Sequence, residues 1–477
     1  MSVVSIKFLS QTYLFSVYSP TFNADPKKYG LPKKDYVALP QTDSIGLSNL
    51  LFNDDADYVT FEAIVSTVPD QIAVAPGYLQ KEWEENGRKY YHYKMDGEMD
   101  LFFNLSSARY AVLRDKWKNP EGKEINIEIF HHPTHTYNLE RYVKSVKASL
   151  DYFGKNFSPY QYKQLRILEF PRYASFAQSF PNTVPYAESF GWVADFSDVD
   201  DTDYAFFVTA HEVAHQWWGH QVTPSATRGA NQISESMAEY SALMVLTHEY
   251  GKDCIQEFLK YDLDRYLTGR AGEDKFEATL LDNDSRPYVW YRKGALVLYA
   301  LQDLIGEDRL NAAFRKFADT AAFRQKPPFP TSNEWYSYMK EATPDSLKYF
   351  IEDSFEKIAL YENRLTKAEY KKMENGKYEV TLTVQTKKIY YDGLGKELET
   401  GKERDLIDIG IFTEDGKNEK GMKKKVPLYL KKHWLTPGEH TLQIVVDEMP
   451  VKAGIDPYNK LIDRIPDDNT KSVESMN

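Results

Sequence analysis

Hydrophobic and polar positions alternate along the first third of the chain. Val59, Phe61, Ala63 and Val65 are separated by Thr60 and Glu62, with Ile64 out of step. A period of two puts alternate side chains on one face, the pattern of a half-buried strand. Residues 58–113 read as strands throughout. Glu85-Asn86-Gly87, between Tyr78-Leu79 and Tyr90-Tyr91, predicts a hairpin, because Asn-Gly tolerates the positive φ of a tight turn. The charged, Pro- and Gly-containing stretch from Lys116 to Lys123 reads as a boundary. Ile125, Ile127 and Ile129 predict one further strand.

The period then changes. Val143, Val146, Leu150 and Phe153 share one helical face, and Gly154 stands where a C-terminal cap belongs. Ile255, Phe258, Leu259, Leu263, Tyr266 and Leu267 form a second stripe. Gly294 to Ile305 is apolar nearly all round, which predicts a buried helix. Helical character runs to about Tyr361. Strand patterns resume near 366: Asn375-Gly376 precedes alternating Val380, Leu382 and Val384, and further strands fit 406–412, 426–430 and 441–446. Short strands separated by turn residues predict a small β-sandwich. The last dozen residues are polar and read as a frayed tail. The expected architecture is α+β and multidomain. A partial N-terminal β domain covers 1–115, a mainly helical domain 116–361, a C-terminal β-sandwich 362–464 and a polar tail 465–477.

Composition narrows the class. A chain of 477 residues, 42% hydrophobic and 27% charged, is globular rather than disordered. Its net charge of -12 argues against a nucleic-acid partner, whose binding surfaces are basic. A single cysteine, Cys254, excludes an intramolecular disulfide and reads as a buried, inert thiol. No apolar run reaches the ~18 residues of a membrane span. Met1 to Phe15 is broken by Lys7, Ser10, Gln11 and Thr12 and lacks the order of a secretory leader. The compartment stays open, with a cytoplasmic or membrane-associated setting expected ahead of a secreted one. The tyrosines and phenylalanines read as core and strand filling.

One segment carries chemistry: His211-Glu212-Val213-Ala214-His215, inside the largely apolar run from Tyr204 to Trp218. On a helix, positions i and i+4 project to one side, so both imidazoles can reach one metal ion, with Glu212 beside them to act on its water. Two imidazoles and a carboxylate with an open fourth position form the ligand set of a catalytic zinc site. The third ligand must come from elsewhere. Glu235 opens a second helical stretch to Tyr250 after a loop rich in Thr, Pro, Ser, Gly and Asn, and antiparallel packing would aim it at the pair. Glu239, one turn later, competes, although it reads as a charge on an exposed helix face.

The run His-Glu-Val-Ala-His-Gln-Trp-Trp-Gly at 211–219, followed by Glu235, resembles the gluzincin aminopeptidases of the aminopeptidase N and leukotriene hydrolase type. The stretch from Gln216 to Ser234 is one residue longer than in most of that family, in or near a loop where insertion is cheapest. Ser234-Glu235-Ser236 replaces the usual Asn-Glu-Gly. His220 stands where asparagine is common and reads as a packing or supporting residue. Tyr291-Arg292-Lys293-Gly294-Ala295 resembles the family's Tyr-Glu-Lys-Gly-Ala, with Arg292 in place of glutamate. Pro185-Tyr186-Ala187-Glu188-Ser189 stands where the family has Gly-Ala-Met-Glu-Asn, with only the glutamate retained.

The resemblance spans about Asp57 to Asp463, and residues 57–115 match only the closing strands of the family's N-terminal β domain. It implies a thermolysin-like middle domain and one zinc ion held by His211, His215 and Glu235. Glu212 would be the proton acceptor for a zinc-activated water, Tyr291 the oxyanion donor, and Glu188 the ligand of a substrate ammonium. The implied partners are peptides with a free N-terminus. The similarity also points to a bacterial branch in which this module is the C-terminal part of membrane-spanning, transporter-like proteins. A zinc endopeptidase and a non-catalytic module of such a transporter are the alternatives.

Other clusters read more plainly. Asp195, Asp198, Asp200, Asp201 and Asp203 fail as a calcium loop, because counting from Asp198 puts Asp203 and Thr209 where Gly and Glu are required. They read as N-terminal capping of the helix that carries the histidines. His131, His132 and His135 read as a solvated loop, and Lys423-Lys424-Lys425 as a solvated turn.

Overall fold

The computed structural model describes residues 5–8, 30, 38–52, 58–196, 198, 203–252, 255–274, 276–284, 286–419 and 421–476. Cys254, Asp200, Asp201 and most of Met1 to Phe15 lie outside them. The chain is α+β, with β sheets first, helices in the middle and β sheets last.

The N-terminal sheet is antiparallel, in the order Ser5–Phe8, Glu62–Thr67, Arg88–Lys94, Tyr78–Glu85. Phe61, Ala63 and Val65 face its core. Glu85 pairs with Arg88 across the turn, where Asn86 and Gly87 have φ of 50° and 71°, the two consecutive positive values that the hairpin required. Ser5–Phe8 adds a strand that the sequence pattern did not predict.

The central sheet runs Thr183–Ala187, Gln164–Phe170, Glu124–His131, Ala111–Lys118. Its last two strands form an antiparallel hairpin, with Lys118 opposite Glu124. The stretch from Lys116 to Lys123 is therefore a hairpin tip within this sheet, not a boundary. Charged residues with Pro and Gly suit a solvated turn as well as a linker, and composition does not separate the two. The other two pairings are parallel. The helix Leu139–Asn156 makes the crossover between the first two parallel strands, burying Val143, Val146, Leu150 and Phe153. Gly154 lies inside this helix, and the cap falls at Phe157.

The helices Tyr204–Ala214, Met237–Tyr250, Ile255–Ala271 and Gly294–Ile305 build the middle of the molecule around Trp217, Trp218 and Phe314. Among the described residues, no helix is long and apolar enough to cross a membrane. The helical region ends at Phe355, and Ile358–Tyr361 is already a strand.

Two four-stranded sheets follow: Gly438–Val446, Tyr378–Thr386, Arg364–Lys372, Glu474–Ser475, and Pro427–Leu435, Asp405–Phe412, Lys452–Ile455, Thr470–Ser472. Val380, Leu382 and Val384 of one share a core with Ile407, Ile409 and Ile411 of the other. The polar tail is not frayed: Thr470–Ser472 and Glu474–Ser475 are edge strands. An edge strand needs only backbone donors and acceptors, so its sequence need not alternate. Lys460 bridges Asp408 of this region, at 2.5 Å, and Asp303 of the helix Gly294–Ile305, at 2.6 Å, and so ties the two together.

Candidate metal centre

Asp203 caps the helix Tyr204–Ala214 by accepting a hydrogen bond from Phe206 N at 2.9 Å. That is the capping role expected of the acidic cluster, carried by one of its members. His211 and His215 lie one turn apart, and their rings stand nearly perpendicular, at 89°. The chain turns sharply after His215, so that the Trp218 carbonyl lies 3.0 Å from His215 Nδ1 and can accept its proton. This holds the His215 Nε2 face toward His211, 3.1 Å from its Nε2.

Glu235 arrives on a π-helical turn, Gln232–Ser236, rather than on the first turn of an α-helix. Its Oε2 lies 3.5 Å from His211 Nε2 and 3.4 Å from His215 Nε2. A second π-turn, Tyr288–Lys293, carries Tyr291. The two turns pack directly on each other. Ser236 Oγ lies 2.6 Å from the Trp290 carbonyl, and a Cβ on Gly294 would fall 2.2 Å from that hydroxyl. The glycine of the Tyr-Arg-Lys-Gly run is thus required by close approach, and the single-residue widening of a π-turn is a frequent device at functional sites.

Three donor atoms therefore form a triangle with edges of 3.1, 3.4 and 3.5 Å. Either a proton or a cation must lie among them, since otherwise their lone pairs face one another. A tetrahedral zinc ion spaces its ligand atoms about 3.3 Å apart, so the donor set and its spacing fit zinc. Burial disfavours a charged His215, but the Glu235 carboxylate outweighs it and pushes the imidazole up to about 9. Burial likewise works against a charged Glu235, and His215 and His211 pull its carboxyl well below the usual range. Metal binding would displace the shared proton.

Glu212 is buried beside the pair, and its Oε2 has no hydrogen-bond partner. Burial pushes its carboxyl up to about 7, with the Glu235 charge adding to the rise. The Tyr291 ring lies 6.1 Å from the His211 ring, and burial with the charge of Glu235 raises its hydroxyl far above the normal value. His211, Glu212 and Tyr291 open on one cavity of about 620 Å³.

The structure corrects several expectations. Glu239 is not an exposed charge; it is buried, with Oε1 3.8 Å from His211 Nδ1, on the side of that ring opposite the donor triangle. The i, i+4 spacing from Glu235 was the signal for this, but only burial shows which face is inside. His220, read as a packing or supporting residue, is buried against Asp100, its Nδ1 3.2 Å from both carboxylate oxygens. His131 is buried, and His135 Nδ1 lies 2.5 Å from Glu169 Oε1, so these two are not solvated. Glu188 follows the strand Thr183–Ala187. Its carboxylate gathers with His135 and Glu169, and its Oε2 accepts from Arg172 N at 3.1 Å; it does not line the cavity, although Phe190 does.

The loop between the second histidine and Glu235 has a support that the sequence did not reveal. Leu39 bridges Thr227 and Leu50 bridges Ser225, so a segment far earlier in the chain clamps it.

A helix presenting two histidines one turn apart, with a glutamate on the following helical element and a mixed sheet in the same region, is the arrangement that the resemblance to the gluzincins implied. Residues 137–352 match the profile described as the peptidase family M1 domain. A leucyl aminopeptidase of Saccharolobus solfataricus is 27% identical over 145 residues, 30% of this chain and 18% of that protein. The human endoplasmic reticulum aminopeptidase 2 is 24% identical over 220 residues, 42% of this chain and 22% of that protein. Among solved structures, Legionella pneumophila aminopeptidase A in complex with aspartic acid aligns with a TM-score of 0.54 at 16% identity, over 88% of this chain and 49% of that one. The chain thus matches well under two thirds of each of these relatives.

Proposed function

We propose that the chain is a zinc-dependent aminopeptidase that hydrolyses the first peptide bond of peptides with a free N-terminus. The observation that carries this reading is the donor triangle of His211, His215 and Glu235, with Glu212 and Tyr291 facing the same cavity. In this reading the middle helices form a thermolysin-like catalytic domain and the two last sheets a β-sandwich behind it.

Zinc held by these three residues supplies Lewis acidity, which polarises a carbonyl and acidifies water. Glu212 Oε2 accepts the proton of the attacking water and passes it to the departing amine nitrogen. A carboxyl near 7 suits both halves of that transfer. Tyr291 stays protonated and donates its hydroxyl to the developing oxyanion. Glu239 faces His211 Nδ1 and steadies the ring. Tyr291→Phe is expected to keep the metal and lower kcat by about 10²–10³-fold in a stopped assay at saturating substrate. Near-normal kcat would remove the oxyanion role.

Glu188 is assigned the substrate ammonium, which its carboxylate reaches by leaving His135, Glu169 and the Arg172 amide. That rearrangement is the point on which the aminopeptidase and endopeptidase readings part. The deciding experiment compares free and N-acetylated versions of one peptide together with the zinc content per chain. Free peptides should be cleaved one residue from the end and acetylated ones poorly, and Glu188→Ala should raise KM strongly with zinc retained. Equal cleavage of both peptides favours an endopeptidase and leaves Glu188 with the His135–Glu169 cluster.

A further inference from the structure

We infer that the cavity beside the metal centre is the pocket for the substrate's first side chain and selects a large apolar or aromatic residue, with Tyr261 and Phe258 setting that preference. This rests on the aminopeptidase reading and names its substrate class. The cavity holds about 620 Å³ and is bounded at one end by His211, Glu212 and Tyr291, the groups that would surround the scissile carbonyl. Its occupant is therefore the side chain on the residue that carries that carbonyl.

The walls are aromatic and already braced. Phe207 and Phe258 rings lie 4.6 Å apart, and Phe190 and Tyr204 stack at 6.3 Å with an angle of 12° between planes. Tyr204 and Tyr261 remain 45% and 41% exposed, apolar surface that an apolar ligand would cover. Of the charged residues in the lining, Arg292 and Asp262 are engaged with each other. Arg292 Nη1 donates to Asp262 Oδ1 at 2.8 Å, and its guanidinium lies 5.2 Å from the Tyr261 ring centre and 5.9 Å from that of Tyr291. Glu239 faces His211. A charged substrate side chain would lose water against aromatic walls, a costly exchange. The Asp262–Arg292 pair holds Tyr261 as a flat wall rather than serving as a charge reader. Arg292 marks the departure from the glutamate of the resembled family, so this wall belongs to this chain's own sequence.

The test measures kcat/KM of the zinc-loaded full chain on aminoacyl-methylcoumarin amides of Leu, Phe, Ala, Lys and Glu. Leu and Phe should exceed the other three by roughly ten- to a hundredfold, the range that apolar pockets reach. Tyr261→Ala should shrink the Phe-to-Ala ratio by about tenfold while zinc stays bound. Phe258→Ala, one turn earlier on the same helix, provides a second test, with zinc content as the check on folding. A preference for Lys or Glu, or unchanged ratios in both variants, overturns the pocket assignment and leaves the aminopeptidase reading standing. No hydrolysis of any of the five by zinc-loaded protein removes both.

Discussion

Glu212→Gln is expected to bind zinc as the unaltered chain does and to lose activity by on the order of 10²–10⁴-fold, the span of general acid–base catalysis. Glutamine keeps the size and the polar contacts of the side chain but accepts no proton. The position is buried, its Oε2 has no protein partner, and its carboxyl is pushed up to about 7. A group in that state holds or releases a proton near neutrality, which an exposed carboxylate does not do. The loss should appear in kcat rather than KM, because Glu212 acts on the proton in flight and not on the bound substrate. Zinc analysis and a thermal melt of the same preparation separate lost chemistry from lost structure. A variant that turns over within a few-fold of the parent removes Glu212 from the mechanism.

Removal of a ligand should have the other large effect. His215→Ala and Glu235→Ala are expected to lose stoichiometric zinc on dialysis and activity with it. Each deletes one corner of a triangle whose edges are 3.1 to 3.5 Å, and two donors do not hold zinc against solution competitors. Glu239→Ala is expected to keep zinc with an affinity lowered by about 10–100-fold, as for a carboxylate that orients a ligand imidazole. Metal content per chain across a chelator series reads all three. Full zinc retention in His215→Ala sinks the ligand assignment. Loss in Glu239→Ala with retention in Glu235→Ala would transfer the third ligand to Glu239.

The corrections in this protein share a cause. Lys116 to Lys123 is a hairpin tip, because turn and linker residues are the same residues. Thr470–Ser472 and Glu474–Ser475 pair as edge strands without a hydrophobic pattern, because the backbone alone makes the contact. Gly154 is absorbed into its helix, because packing of Val146, Leu150 and Phe153 continues the helix past a residue of low propensity. In each case the local signal was ambiguous and a distant partner resolved it.

Spacing along the chain was enough for the helices, the Asn86-Gly87 hairpin and the metal motif. His211 and His215 meet because a helix repeats every 3.6 residues, and that repeat is written in five consecutive residues. Tertiary structure alone decided what lies around them. Glu235 reaches both histidines through a π-turn that packs on a second π-turn only because Gly294 lacks a Cβ. Glu239 is turned inward behind His211, and Glu188 is drawn to His135 and Glu169. Leu39 and Leu50 clamp the loop before Glu235 from nearly two hundred residues away. Contacts of that separation depend on how layers stack. A periodic pattern records which face of an element is apolar, but not which other element that face will meet.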